Sequence, residues 1–147
     1  MPSHTETKIV AYPADLMFAI VSDVEKYPEF LPWVNELRIV NRVSDTVFDS
    51  EMRVGFAGVN ESYVSRVALN PPERTIDVAL VRGPFRRLEN HWRFVPQNGS
   101  CEIEFAIAFE FKSPVLNMVA GKAFGRVLLK MADAFEARAR SLLLRAE

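Results

Sequence analysis

A chain of 147 residues that is 49% hydrophobic can bury one sizeable core but not two. Its 18 basic and 19 acidic side chains leave a net charge of −1, so no overall field draws it to nucleic acid, and any electrostatic attraction has to be local. One cysteine, Cys101, excludes a disulfide framework and a cysteine-rich zinc site, and charges interrupt every apolar run before the roughly 20 residues of a membrane span, so one soluble domain is expected.

Thr5, Thr7 and Ile9 alternate with Glu6 and Lys8, which predicts a first strand over Ser3–Ala11 in place of a targeting peptide, and with it a cytoplasmic location. Pro13 stands where a short helix starts, Asp15 sits in its first turn against the positive end of the helix dipole, and the helix runs through Val24. In Tyr27-Pro28-Glu29-Phe30-Leu31-Pro32-Trp33 two prolines forbid a long helix while four large apolar side chains crowd together, giving a stiff apolar loop or a second short helix.

From Asn35 to Phe111 the hydrophobic period is two, broken by turn signals at Ser44-Asp45, Gly58, Asn70-Pro71-Pro72, Gly83-Pro84 and Gln97-Asn98-Gly99, so six strands follow one another. Phe48, Ser50, Met52, Val54 and Phe56 share one face, with Asp49, Glu51 and Arg53 on the other. Cys101, Ile103, Phe105, Ile107, Phe109 and Phe111 alternate in the same way with Glu102, Glu104 and Glu110. That is a half-solvated antiparallel sheet. Ser113 is a good N-cap and Pro114 a good first helical residue, and no later proline intervenes, so one long helix is expected to close the chain. Its apolar stripe of Leu116, Val119, Ala120, Ala123, Phe124, Val127, Met131, Phe135 and Leu142 needs the sheet as partner. Gly121 and Gly125 cost this helix about 1 kcal/mol each relative to alanine. They admit a ligand, permit a bend or let a strand pack closely.

The predicted fold class is α+β: a curved antiparallel sheet of about seven strands around a long C-terminal helix, with two short helices after the first strand. A curled sheet can enclose more volume than one helix fills, leaving an apolar cavity.

Val24-Glu25-Lys26-Tyr27-Pro28-Glu29-Phe30-Leu31-Pro32-Trp33, Gly83-Pro84-Phe85-Arg86-Arg87-Leu88 with Trp92-Arg93-Phe94, and Ile103-Glu104-Phe105, Phe109-Glu110-Phe111 and Ala134-Phe135-Glu136-Ala137-Arg138-Ala139 occur in this order. The chain thereby resembles the coenzyme Q-binding and ribosome association toxin family of the START-like, polyketide cyclase superfamily. The resemblance covers essentially the whole chain and implies a helix-grip fold. It also implies either binding of coenzyme Q (ubiquinone) or another polyprenyl lipid in support of respiration or quinone biosynthesis, or association with the large ribosomal subunit as a toxin that blocks subunit joining. Trp33 stands where many relatives carry a small residue or cysteine, which alters the expected portal.

The resemblance makes Met52, Val54, Phe56, Val78, Leu80, Trp92, Phe105, Phe109, Val119, Phe124, Val127 and Met131 the expected cavity lining. Aromatic and methionine side chains give a flat ring and a flexible tail contact area. Ser50, Ser65 and Asn90 either donate to quinone oxygens or bond a trapped water or nearby backbone. Tyr27, Pro28, Phe30, Leu31, Pro32 and Trp33 form either a portal with transient membrane-surface contact, at the inner face of the cytoplasmic membrane, or a simple plug. Arg86, Arg87, Lys122, Arg126 and Lys130 are a solvated basic surface, or the place where phosphates of anionic lipid or ribosomal RNA dock; DNA is not expected. His4 and His91 make no acid–base pair, Cys101 reads as a buried small hydrophobe, and no spacing suggests a metal. No catalytic residue, metal or required cofactor is expected.

Overall fold

The computed structural model describes residues 3–56 and 58–146, with side chains described at all of these except 56, 59, 120, 121, 128, 145 and 146. Strand β1 (Ser3–Val10) leads into helix α1 (Ala14–Ser22) and a 3-10 helix (Val24–Glu29), followed by β2 (Val34–Arg42), β3 (Val47–Phe56), β4 (Val59–Asn70), β5 (Thr75–Arg82), β6 (Phe85–Gln97) and β7 (Ser100–Phe111). The sheet order is β1-β7-β6-β5-β4-β3-β2, and every neighbouring pair is antiparallel. Register shifts interrupt β2–β3 at Val34/Glu36 and Ile39/Asn41, β4–β5 at Val64/Ser65 and β6–β7 at Phe85/Arg87. Such bulges bend and twist the strands that carry them, which curls the sheet. The predicted α+β architecture of seven curved antiparallel strands and a C-terminal helical element is what forms.

Two local expectations differ. The C-terminal helix is broken into α2 (Pro114–Leu129) and α3 (Met131–Ala146). The Lys130 amide bonds Val127 O at 3.1 Å, a tightened turn, and the helix restarts as the Ala134 amide bonds Lys130 O at 3.0 Å. The break falls at neither glycine. Its two sides pack on different partners, α2 against β7 and α3 against α1, so the curved scaffold sets the interruption. Asp49, expected on the solvated face, lies there but is only 6% exposed, because Arg66 Nε donates to it at 2.8 Å and Asn41 Nδ2 at 3.2 Å.

Capping holds α2 to the sheet: the Ser113 hydroxyl accepts from the Leu116 amide at 3.2 Å, and the Asn117 side chain accepts from the Phe111 amide at 3.1 Å while donating to Phe111 O at 3.2 Å. Lys8 on β1 ion-pairs with Asp133 and Glu136 and ties α3 to the sheet edge. The core lies between the inner face of the sheet and α1, α3 and the 3-10 helix. At its centre the fully buried Phe135 meets the rings of Tyr27 at 5.4 Å, Phe30 at 5.5 Å and Trp92 at 5.3 Å in edge-on geometry. No helix among the described residues is long and apolar enough to cross a membrane.

Candidate functional site

Between the sheet and α2 a cavity of about 80 Å³ remains. A single water needs roughly 10–15 Å³ of such space, so this is larger than an ordinary packing defect. Strands β3 to β7 supply its floor through Ser50, Met52, Val54, Tyr63, Ser65, Val67, Ile76, Val78, Leu88, Asn90, Trp92 and Ile107; Val24, Tyr27, Leu31, Trp33 and Val34 wall one side; Phe124, Val127 and Met131 close it from the helices. Among the described residues, no charged side chain lines it.

Of the expected lining, the structure brings together Met52, Val54, Val78, Trp92, Phe124, Val127 and Met131. Phe105 is buried by stacking on Trp92 (4.3 Å between centroids), Phe109 by edge-on packing with Phe124 (4.5 Å), and Leu80 packs against the core edge; none of the three faces the hollow. Val119 is 59% exposed: it lies about 90° from the centre of the apolar stripe and turns outward, in correction of the expected inward placement. The Phe56 side chain lies outside the described residues. Lining residues absent from the expectation include Tyr63 and Val67, which sit two and six residues beyond Glu61 in the period-two run of β4, and Ile107, which alternates inward on β7. The alternation alone carried that signal.

The segment 27–33 is pinned. Tyr27, Leu31 and Trp33 line the cavity, while Pro28 and Pro32 face solvent. Tyr27 Oη donates to Val21 O, and burial pushes its phenol far above the ordinary value, so it stays neutral. Phe30 is held between Tyr27, Phe135 and the Arg138 guanidinium, which also bonds Glu29 and holds that carboxyl below its usual range. Tyr63 Oη donates to Met52 Sδ at 3.3 Å, and burial raises its pKa to about 12. Both tyrosine hydroxyls on the wall are thus occupied. Ser50 and Ser65 are buried cross-strand partners, and Asn90 Oδ1 is buried with no hydrogen-bond partner.

Residues weighed for catalysis are scattered. His91 pairs with Asp77 on the outer face of the sheet, His4 lies against Phe105 on β1, and Cys101 is fully buried, its thiol pushed up to about 11 by desolvation. No cluster of three or more metal-binding side chains occurs among the described residues. On the basic surface, Arg86 lies 3.7 Å from Glu110 and Arg87 3.1 Å from Glu89, whereas Lys122 and Arg126 on α2 and Lys130 at the break that follows it are exposed.

The sequence profile of the family described as polyketide cyclase / dehydrase and lipid transport matches residues 10–136. The ribosome association toxin RatA of Rickettsia prowazekii (strain Madrid E) is 34% identical over 146 residues, 97% of this chain and 99% of that one. The mitochondrial coenzyme Q-binding protein COQ10 homolog B of Xenopus laevis is 33% identical over 140 residues, 92% of this chain and 57% of the relative. A START superfamily protein from Mycobacterium smegmatis superposes with a TM-score of 0.81 at 28% identity, over 95% of this chain and 98% of that one. With the curled sheet, the helices that close it and the profile all in agreement, the chain belongs to the polyketide cyclase / dehydrase and lipid transport family and has its START-like fold.

Proposed function

We propose that this protein is a non-catalytic carrier that holds coenzyme Q or a similar polyprenyl lipid in the cavity between sheet and α2, in support of respiration or quinone biosynthesis. One observation carries the reading: an uncharged hollow is closed by a helix whose opposite side is apolar and cationic. On α2, Val115, Met118 and Val119 are 66%, 78% and 59% exposed at helical spacing. The same stripe continues into Lys122, Arg126 and Lys130, and no acidic residue occurs from Phe111 through Ala132. Apolar side chains followed by cations suit the surface of an anionic bilayer, where each basic residue contributes about 1 kcal/mol. The hollow is too small for a ring with its tail, so loading requires α2 to move outward, and the break at Lys130 is where it would pivot. The relative named as coenzyme Q-binding supports this reading, and each buried methylene of a tail is worth about 0.8 kcal/mol.

The test is to extract the protein under mild conditions, identify co-purified lipid by mass spectrometry, and repeat after incubation with quinone-containing vesicles. A stoichiometric polyprenyl lipid is expected. An empty protein in both arms overturns the carrier reading.

A second reading, association with the large ribosomal subunit, is favoured by the relative named a ribosome association toxin, which matches 97% of this chain. It needs the exterior of α2 in place of the hollow. Reversing Lys122, Arg126 and Lys130 to glutamate separates the two: a carrier keeps its lipid and loses transfer to anionic vesicles, whereas a ribosome binder loses salt-sensitive co-sedimentation with large subunits.

A further inference from the structure

Three polar side chains interrupt the apolar floor of the cavity. Ser50 and Ser65, 2% and 3% exposed, are directly paired across β3 and β4. Asn90 on β6 lies opposite Val78 of β5, whose other neighbour is Val67 on β4, two residues from Ser65. The three therefore sit on one face within four adjacent strands. Asn90 Oδ1 is enclosed and accepts no hydrogen bond, an arrangement that proteins avoid unless something else supplies the donor. A carrier that needed only an oily hollow would gain stability from an aliphatic residue at this position.

We propose that this polar floor is a head-group subsite that selects lipids bearing a hydrogen-bond donor, such as a phenol or hydroquinone hydroxyl, over rings that carry acceptors alone. The inference rests on the carrier reading and adds the chemistry of the end that is bound. An amide presents both a donor and an acceptor, and turning it over exchanges their places without removing the acceptor. The serine hydroxyls adapt to either role. A benzoquinone can accept from the Asn90 amide NH2 and from the serines, but it leaves the Asn90 carbonyl bare. A hydroxyl on the ring fills it. Any water held there before loading would be displaced, and a ring without a donor would not replace the bond that water gave. One such unmade bond corresponds to roughly a ten-fold difference in affinity.

Anaerobic calorimetric titration with three probes tests this: a benzoquinone with a decyl tail, its hydroquinone, and the dimethyl ether of that hydroquinone. The wild-type protein should bind the hydroquinone about ten-fold more tightly than the quinone or the ether. The ether separates donor content from redox state. Asn90→Leu, with its fold checked by circular dichroism, should bind all three alike through the tail; Asn90→Ser should retain part of the preference. Equal wild-type affinities for the three probes, or a preference that survives in Asn90→Leu, would overturn the subsite and leave the carrier intact. Should Asn90→Leu fail to fold, the wild-type ranking and Asn90→Ser still decide. No binding of any probe to wild-type protein would remove both readings.

Discussion

The Arg138 guanidinium lies 4.9 Å from the centre of the Phe30 ring, and its Nη2 donates to Glu29 Oε1 at 2.9 Å, so one side chain of α3 clamps the segment that walls the cavity. The Arg138 side chain is only 10% exposed. Replacing it with alanine should lower stability by about 1–2 kcal/mol through lost packing and cation–π attraction, and should speed exchange of bound lipid. Arg138→Lys should recover part of the stability and little of the clamp, because lysine cannot stack flat on a ring. Denaturant unfolding and lipid off-rates check this; an Arg138→Ala variant with wild-type values for both would contradict it.

Residues that line the hollow and residues that only pack around it should separate by phenotype. Val127→Phe adds volume where space exists, so it should weaken lipid binding with little loss of stability. Val127→Arg should abolish binding at a cost of several kcal/mol for the buried charge. Phe109→Leu, in the packed ring cluster outside the hollow, should cost about 1–2 kcal/mol of stability and leave affinity nearly unchanged. Paired measurements of unfolding and lipid affinity would show the opposite pattern if Phe109 formed the wall.

Asp49 provides a pH dependence. Arg66, and then Asn41, hold its carboxyl below the ordinary value of 3.8, so the folded state favours the charged form more than the unfolded chain does. The stability this contributes is fully present above that ordinary value and is lost as pH falls through the lowered folded value. Asp49→Asn should therefore be less stable than wild type at neutral pH and flatter on the acid limb. Unfolding curves collected from pH 6 to pH 2 test it.

Two glycines should respond in opposite directions. A Cβ on Gly125 meets no atom within 4 Å, so Gly125→Ala should stabilise α2 by about 1 kcal/mol, and close packing is not why glycine stands there. A Cβ on Gly83 would come within 2.5 Å of Tyr63 Cβ, at φ +153°, so Gly83→Ala should destabilise the β5–β6 turn and disturb Tyr63 on the cavity wall. Thermal unfolding of the two variants should move apart, and parallel shifts would refute the assignment. Gly121 lies outside the described side chains.

Amino-acid order by itself determined the strands and their faces. The period-two runs in β3 and β7, the turn residues between strands and the Ser113-Pro114 start of α2 are local signals, because each depends on backbone geometry within a few residues. Inward and outward facing followed for the strand residues; for Asp49 the facing followed but its burial did not, since its cover comes from Arg66 and Asn41 on two neighbouring strands. What only tertiary structure decided was which inward residues meet empty space. Phe105, Phe109 and Trp92 share the inner face of the sheet, yet Trp92 alone borders the hollow, because ring packing with distant partners fills the space beside the other two. The break at Lys130 and the outward turn of Val119 are likewise set by how the helices meet a curved sheet. The unpartnered Asn90 carbonyl became visible only when its neighbours on β5 and β7 were in place, since a missing hydrogen bond is a property of everything packed around the atom.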